Sequence, residues 1–265
     1  MRAVVPSYRP VEAVVRALAL LAELNRHKVG SVASLHQATG LPKPTIVRLL
    51  ETLIARGYVV NDARQGGYQV TSLVQSLSCG FHSDPLVIEA GRPWLIEFTR
   101  RHKWPVSIAL LDHDAVVVRF STIPDSPVSP FHATINMRLR LLTRALGRAY
   151  LAFCPEDERD FILEILSRSK HAEDQAARRR KDVLRVLASI RSAGYATRPP
   201  RIEPLNSSTI AVPIMRGEQV LATVGMTYFR SALPAPGAID RFVLPIQQLA
   251  ANVARTVAQL ERQKG

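Results

Sequence analysis

The sequence predicts an α+β protein of two domains: an N-terminal winged helix-turn-helix, then a larger domain built on an antiparallel sheet with helices outside it. Three observations predict it. Three helical segments run in order through residues 11–57, the second and third joined around Gly40. Two short strands around a Gly-Gly turn follow at once. Beyond residue 103, two pairs of apolar runs alternate with helical stretches, each pair split by a short polar segment.

Residues 11–27, VEAVVRALALLAELNRH, place apolar side chains at 11, 14, 15, 18 and 21, the spacing of an amphipathic helix. Gly30 ends that region, and Ser31 serves as N-cap of a second helix, SVASLHQAT, expected to bury Val32, Leu35 and Ala38. Gly40 can take the left-handed turn that closes it. The third segment, LPKPTIVRLLETLIARG, carries Pro42 and Pro44 in its first turn, where a missing N–H costs little. Ile46, Leu49, Leu50, Leu53 and Ile54 share one arc of this helix, while Thr45, Arg48 and Thr52 stack on another. A helix that reads DNA needs that division, one face for its neighbours and one for phosphates and base edges. Lys43 adds a cation at its entry, and Ser34 a hydroxyl on the second helix. Strands at 58–60 and 68–71 then flank NDARQGG, which makes a β-hairpin with Arg64 and Gln65 at its tip.

Residues 72–81 are read as a linker helix, so the domains run 1–71 and 82–265. In the second, WPVSIALL (104–111) and AVVVRFST (115–122) form a hairpin around Asp112-His113-Asp114, and residues 123–136 form a proline-rich loop. Helices are expected over 143–153, 155–168 and 174–193. TIAVPIMRGEQVLATVGMTY (209–228) is a second hairpin, and residues 238–262 form a closing helix.

Composition narrows the function. The 265 residues are 47% hydrophobic and 22% charged, as in ordinary globular chains. The net charge of +13 indicates a polyanionic partner, since neutralising phosphates releases counterions. Residues 1–81 hold nine Lys/Arg against four acids. A second basic run, Arg178-Arg179-Arg180-Lys181, reads as a solvated helix face. The longest apolar stretch, Val11 to Leu24, is broken by Glu12, Arg16 and Glu23, so no membrane partner is expected. The first ten residues lack the pattern of a secretion signal, and Cys79 and Cys154 offer neither a disulfide framework nor metal spacing, which fits a reducing cytoplasm. His102, His113, His132 and His171 have no ligand spacing, Asp112-His113-Asp114 reads as a turn, and neither a Gly-x-Ser-x-Gly elbow nor a P-loop occurs. No catalytic residues, metal or cofactor are therefore expected. A metabolite-binding module or enzyme whose N-terminal helices serve packing or dimerisation is the alternative. The wing weighs against it, because a packing domain has no need of Arg64 on a Gly-Gly hairpin.

Thr39-Gly40-Leu41-Pro42, Thr45, Arg48-Leu49-Leu50 and Gly57-Tyr58-Val59 resemble the DNA-binding domain of the IclR family of bacterial regulators. Pro44 departs from the serine common there, which removes one potential phosphate contact. The resemblance extends to LLTRALGRAYLAF (141–153) and to the 209–228 hairpin, and so to nearly the whole chain. It implies a C-terminal effector-binding domain related in fold to GAF domains, and double-stranded operator DNA bound by a homodimer or a dimer of dimers. WPVSIALLDHDAVVVR and GRAYLAFCPEDER resemble the subgroup that activates hydroxyphenylpropionate and related aromatic-acid catabolism. The implied effector is a small carboxylate, met by Leu146 and Gly147 at a helix-opening turn and by Thr209, Gly225 and Thr227 on the last hairpin. Arg119, Arg138, Arg140 and Arg144 lie near the same stretch in sequence and are the candidate partners for its charge, Arg119 foremost.

Overall fold

The computed structural model describes residues 8–26, 29–62, 64, 66–78, 85–131 and 134–264. They fall into two compact units that part after Ser83.

The first unit holds α1 (Glu12–Leu24), α2 (Val32–Thr39), α3 (Lys43–Ala55) and the hairpin β1 (Val59–Asp62) and β2 (Gly67–Val70). Local chemistry sets the ends of α2. Ser31 is extended, its Oγ accepts the Ser34 N–H at 3.1 Å, and the Ser34 Oγ accepts the Ser31 N–H at 2.9 Å. This reciprocal cap satisfies two otherwise orphaned donors. Gly40 closes the helix at φ 69°. Leu20, Leu24, Leu35, Ile46, Leu50 and Val59 form the core. Gly30 and Tyr68 exchange two backbone hydrogen bonds of 2.9 Å, tying the α1–α2 connection to the wing. Gly67 is required by that contact, because a Cβ there would lie 2.7 Å from the Gly30 carbonyl oxygen.

α1 buries a different face from the expected one. Its packed line is Leu20 and Leu24, with Ala17 and Leu21 partly covered, whereas Val11, Val14, Val15 and Leu18 are between 49% and 68% exposed. The two lines lie roughly a third of a turn apart at 100° per residue. The helix is apolar on both, and α2, α3 and the wing cover only one. Ala38 and Ile54, also expected inside, are exposed for the same reason of limited cover. The linker helix expected over 72–81 is a 3-10 helix from Ser72 to Ser78. Thr71 starts it: its Oγ1 accepts the Leu73 N–H while donating to the Gly57 carbonyl at 2.6 Å. Residues 79–84, Cys79 included, lie outside the described residues.

The second unit contains α4 (Leu86–His102), β3 (Val106–Asp112), β4 (Ala115–Ser121), β5 (Arg138–Arg140), α5 (Ala145–Phe153), α6 (Glu156–Ser167), α7 (Arg180–Ala193), β6 (Ala196–Thr197), β7 (Ser207–Arg216), β8 (Gln219–Phe229) and α8 (Ala235–Lys264). The six strands run in the order β5-β4-β3-β8-β7-β6, every neighbouring pair antiparallel. Side chains alternate across the sheet with period two. Ile210, Val212, Val224 and Met226 face the layer that includes α4 and α8, while Ala211 and Val118 face the one that includes α5, α6 and α7. The α+β architecture with an antiparallel sheet is thus the one the sequence predicts.

Two details differ. The helix expected over 174–193 is divided into a 3-10 helix, Ala172–Arg178, and α7, with Arg179 out of helical geometry between them at ψ 62°. Asp174 is fully buried there and accepts hydrogen bonds from Ser169 and Arg140, which fixes the turn against the sheet. β5 is the other, a three-residue strand too short to show a period. Among the described residues no helix is long and apolar enough to cross a membrane.

Substituting Ser31 by alanine is expected to cost the winged unit about 1 kcal/mol, the usual value of such a cap. Urea unfolding of the full chain, followed by circular dichroism, checks it against a wild-type midpoint.

Candidate functional site

Two sites emerge, one in each unit. On the winged unit, the exposed stripe of α3 is Lys43, Pro44, Val47, Arg48 and Glu51. Arg48 stands at its centre, and Arg48, Lys43 and Arg64 have no ion-pair partner among the described residues. Thr45 is half-buried, and with Arg48 and Thr52 it lines a groove against Ala13 and Arg16 of α1. Thr52 donates its hydroxyl to the Arg48 carbonyl at 2.9 Å. The predicted polar arc is therefore a flank of α3 as much as its outer face. Val47, which belongs to neither arc of the sequence reading, is exposed next to Arg48 on the same stripe. Ser34 is exposed, but its hydroxyl is committed to Ser31. Arg64 is exposed in the turn of the wing, and its N–H is held by Asp62 Oδ1 at 2.9 Å. Gln65 lies outside the described residues.

In the second unit, a cavity of about 450 Å³ lies between the sheet and the start of α5. Its size is that of a small-molecule site. Of the residues expected to meet an effector, Leu146, Thr209, Gly225 and Thr227 line it. Thr209 and Thr227 are direct partners across β7 and β8, their hydroxyls 3.0 Å apart. Gly225 has Ser107 beside it on β3 and Ala211 on β7. The first-turn N–H groups of α5 have no intrahelical acceptor, and Arg144, in extended geometry, supplies no side-chain cap.

Two of the expected residues do not line the cavity. Gly147 packs against β5 instead: a Cβ there would lie 2.5 Å from the Leu141 Cα and 2.6 Å from the Arg140 carbonyl oxygen. Glycine is needed because helix and strand backbones touch. Arg119 is the extra residue of a bulge in β4, between Val118, which pairs with Ala109, and Phe120, which pairs with Ile108, and its guanidinium donates to Asn136 Oδ1 at 3.0 Å instead of lining the cavity. The arginines on the wall are Arg138, Arg144 and Arg198. Arg198 is 5% exposed and was missed. It sits in a short strand-like run before two prolines, and only its burial distinguishes it from a surface arginine.

Charge around the cavity is organised into pairs. Arg138 binds Asp112 and Asp114, the latter at 2.7 Å, and Arg140 joins Asp114 to Asp174. Burial would raise the Asp114 carboxyl, but its hydrogen bonds from Arg138 and Arg140 outweigh that and hold it below its ordinary value. Arg144 pairs with Glu173 at 3.1 Å. Asp112-His113-Asp114 is the turn of the β3–β4 hairpin, with His113 at φ 59°, and its acids serve these pairs. Cys154 is buried, and burial pushes its thiol up to about 12. Among the described residues no cluster of three or more His, Cys, Asp or Glu could hold a metal.

A helix-turn-helix with a wing and unpaired cations, carried with a separate sheet unit that encloses a small-molecule cavity, defines a DNA-binding transcriptional regulator. Residues 13–63 match the IclR helix-turn-helix domain, and residues 82–255 match the C-terminal domain of the bacterial transcriptional regulator IclR. The chain belongs to the IclR family, whose members are transcriptional regulators and not enzymes. It is similar to the HTH-type transcriptional regulator KdgR of Escherichia coli, 24% identical over 185 residues and covering 70% of each chain. Among solved structures it is similar to a transcriptional regulator from Rhodococcus sp. RHA1, with 22% identity, TM-score 0.62, and coverage of 95% and 100%. It is also similar to an IclR homologue from Microbacterium hydrocarbonoxydans complexed with 4-hydroxybenzoate, at 18% identity and TM-score 0.56, covering 93% and 99%.

Because Gly147 allows helix and strand to touch, Gly147→Ala is expected to destabilise the second unit by roughly 1–3 kcal/mol, the range for overpacking. Thermal unfolding with no ligand present measures it, and an unchanged midpoint would show that β5 can move aside.

Proposed function

We propose that this regulator reads a palindromic operator through α3 and the wing, and that a small aromatic carboxylic acid in the cavity sets its affinity for DNA. The observation that carries the second half is the cavity itself. Its wall combines apolar side chains, such as Val118, Met137 and Leu139, with paired threonine hydroxyls, the open N-terminus of α5 and three arginines. Such a wall suits a flat apolar body bearing a carboxylate, since burying that charge without several donors is prohibitively costly. The likeness of residues 104–119 and 147–159 to regulators of hydroxyphenylpropionate catabolism supports an aromatic acid. A fold relative complexed with 4-hydroxybenzoate is in keeping with it. Leu146, Thr209, Gly225 and Thr227 would touch the ligand, and the acid acts by differential affinity for DNA-competent and DNA-incompetent states.

A homodimer or a dimer of dimers is part of the proposal. The exposed line Val11, Val14, Val15 and Leu18 supports it, because a lone helix does not leave such a stripe in water without cost. Titration of the purified chain with benzoate, 4-hydroxybenzoate and 3-phenylpropanoate, read by thermal shift and by gel shift on its own upstream DNA, tests the whole. No response to any acid removes the effector half and leaves the operator half standing.

Arg48→Ala is expected to lose roughly 1–3 kcal/mol of operator binding and to relax specificity at one base position, as a base-edge contact does. Fluorescence anisotropy on operator and random duplexes checks it, and equal binding to both by wild type and variant counts against α3 as the reader. Arg64→Ala should instead weaken binding evenly across sequences. It should also flatten the plot of log affinity against log salt by about one unit of slope, as loss of one phosphate contact does.

A further inference from the structure

We infer that Arg198 is the counter-ion of the cavity, and that it restricts the effector to a monocarboxylate with an apolar body. The inference rests on the cavity being the effector site; it adds which group meets the acid and how many charges the acid carries.

The three arginines on the wall are not equivalent. Arg138 is bound to two carboxylates, Asp112 and Asp114. Arg144 is bound to Glu173 and to the Glu203 carbonyl. Arg198 alone of the three has no carboxylate within hydrogen-bond reach among the described residues. Its hydrogen bonds all leave from Nη2, to the Pro204 carbonyl at 2.7 Å, the Ser207 Oγ at 3.0 Å and the Ser207 carbonyl. Its Nε is buried and has no partner among the described residues. Thr134 Oγ1, on the same wall, is likewise buried without a partner.

An orphaned N–H on a buried cation is doubly costly, in a lost hydrogen bond and in uncompensated charge. The surroundings sharpen the cost. Burial, then Arg144 and Arg230, lower the Arg198 pKa to about 10, against a weaker opposing influence from Glu203. The side chain therefore stays cationic at neutral pH in a neighbourhood rich in cations. Because Arg198 lines the cavity, a carboxylate there would supply the countercharge that no acid of the described residues supplies, together with a hydrogen-bond acceptor for the planar guanidinium. A second carboxylate would find no free cation, since Arg138 and Arg144 are already matched to acids and Glu203 lies on the wall to repel it. A neutral amide of the same shape would offer an acceptor and leave the charge unmet.

Calorimetry on the full-length chain tests this with 3-phenylpropanoate, benzoate, 3-phenylpropanamide and benzene-1,4-dicarboxylate. The wild type should bind the better monocarboxylate at least about tenfold more tightly than the amide or the dicarboxylate. Arg198→Gln should abolish that preference by losing acid affinity while holding amide affinity within about twofold, as removal of one charge-assisted contact implies. Arg198→Lys should keep the preference at reduced affinity, and Arg119→Gln, outside the cavity, should change nothing. If Arg198→Gln does not fold, the wild-type comparisons and Arg198→Lys decide. Equal wild-type affinity for acid and amide, or for mono- and dicarboxylate, overturns the inference. So does Arg198→Gln binding the acid as wild type does, or Arg198→Lys losing the preference; in these cases the cavity remains the effector site. Wild type that binds none of the panel removes the aromatic-acid reading and this inference with it.

Discussion

The close approach of α5 to the sheet is the constraint on which the second unit depends. Two glycines permit it. At Gly147 no side chain fits between the helix and the backbone of residues 140–141, and at Gly225 a methyl would stand 3.1 Å from Leu146 and 3.2 Å from Thr209. The first brings the open N-terminus of α5 against β5; the second leaves room above the sheet. The cavity is what remains between a helix held this near and strands that carry small or hydroxylated residues at Ser107, Thr209, Gly225 and Thr227. Close packing elsewhere makes that space a property of the backbone rather than of side-chain rotamers.

The same approach organises the charges. β5 and the turn into α5 carry Arg138, Arg140 and Arg144, which would repel one another if left alone. Asp112 and Asp114 at a hairpin turn, with Glu173 and the buried Asp174 at the break before α7, are placed to meet them. The net charge of +13 is therefore a poor locator of function. Many of the sheet unit's arginines are answered by acids, while Lys43, Arg48 and Arg64 of the winged unit have no such partner among the described residues.

What the sequence made legible follows from how local each signal is. The cap at Ser31, the left-handed turn at Gly40 and the apolar runs of β7 and β8 act over a few residues, and the structure has all three. α1 shows the limit of periodicity, because two apolar lines share one helix and only the neighbours decide which is covered. Four of the six residues expected around the ligand line the cavity, since strand register and a helix start place them. Gly147 and Arg119 do not, because a glycine serves backbone contact as readily as ligand contact, and Arg119 falls on a bulge that the strand's sequence pattern does not show. Arg198 had no local signal at all; its meaning comes from carbonyls at Pro204 and Ser207 and from charges far off in the chain.

The reciprocal cap between Ser31 and Ser34 has a consequence for genetics. In a screen for lost repression or activation, Ser34 substitutions would score beside those at Arg48 if α3 reads the operator as proposed, since fraying α2 displaces α3. On the proposed use of the cavity, Gly147 substitutions would likewise score as loss of response to a ligand, since they push α5 from β5. Both would pass for contact residues, although one holds a helix end and the other a gap between backbones. Suppression by distant stabilising changes separates them, because added stability rescues a misplaced element and cannot restore a missing contact.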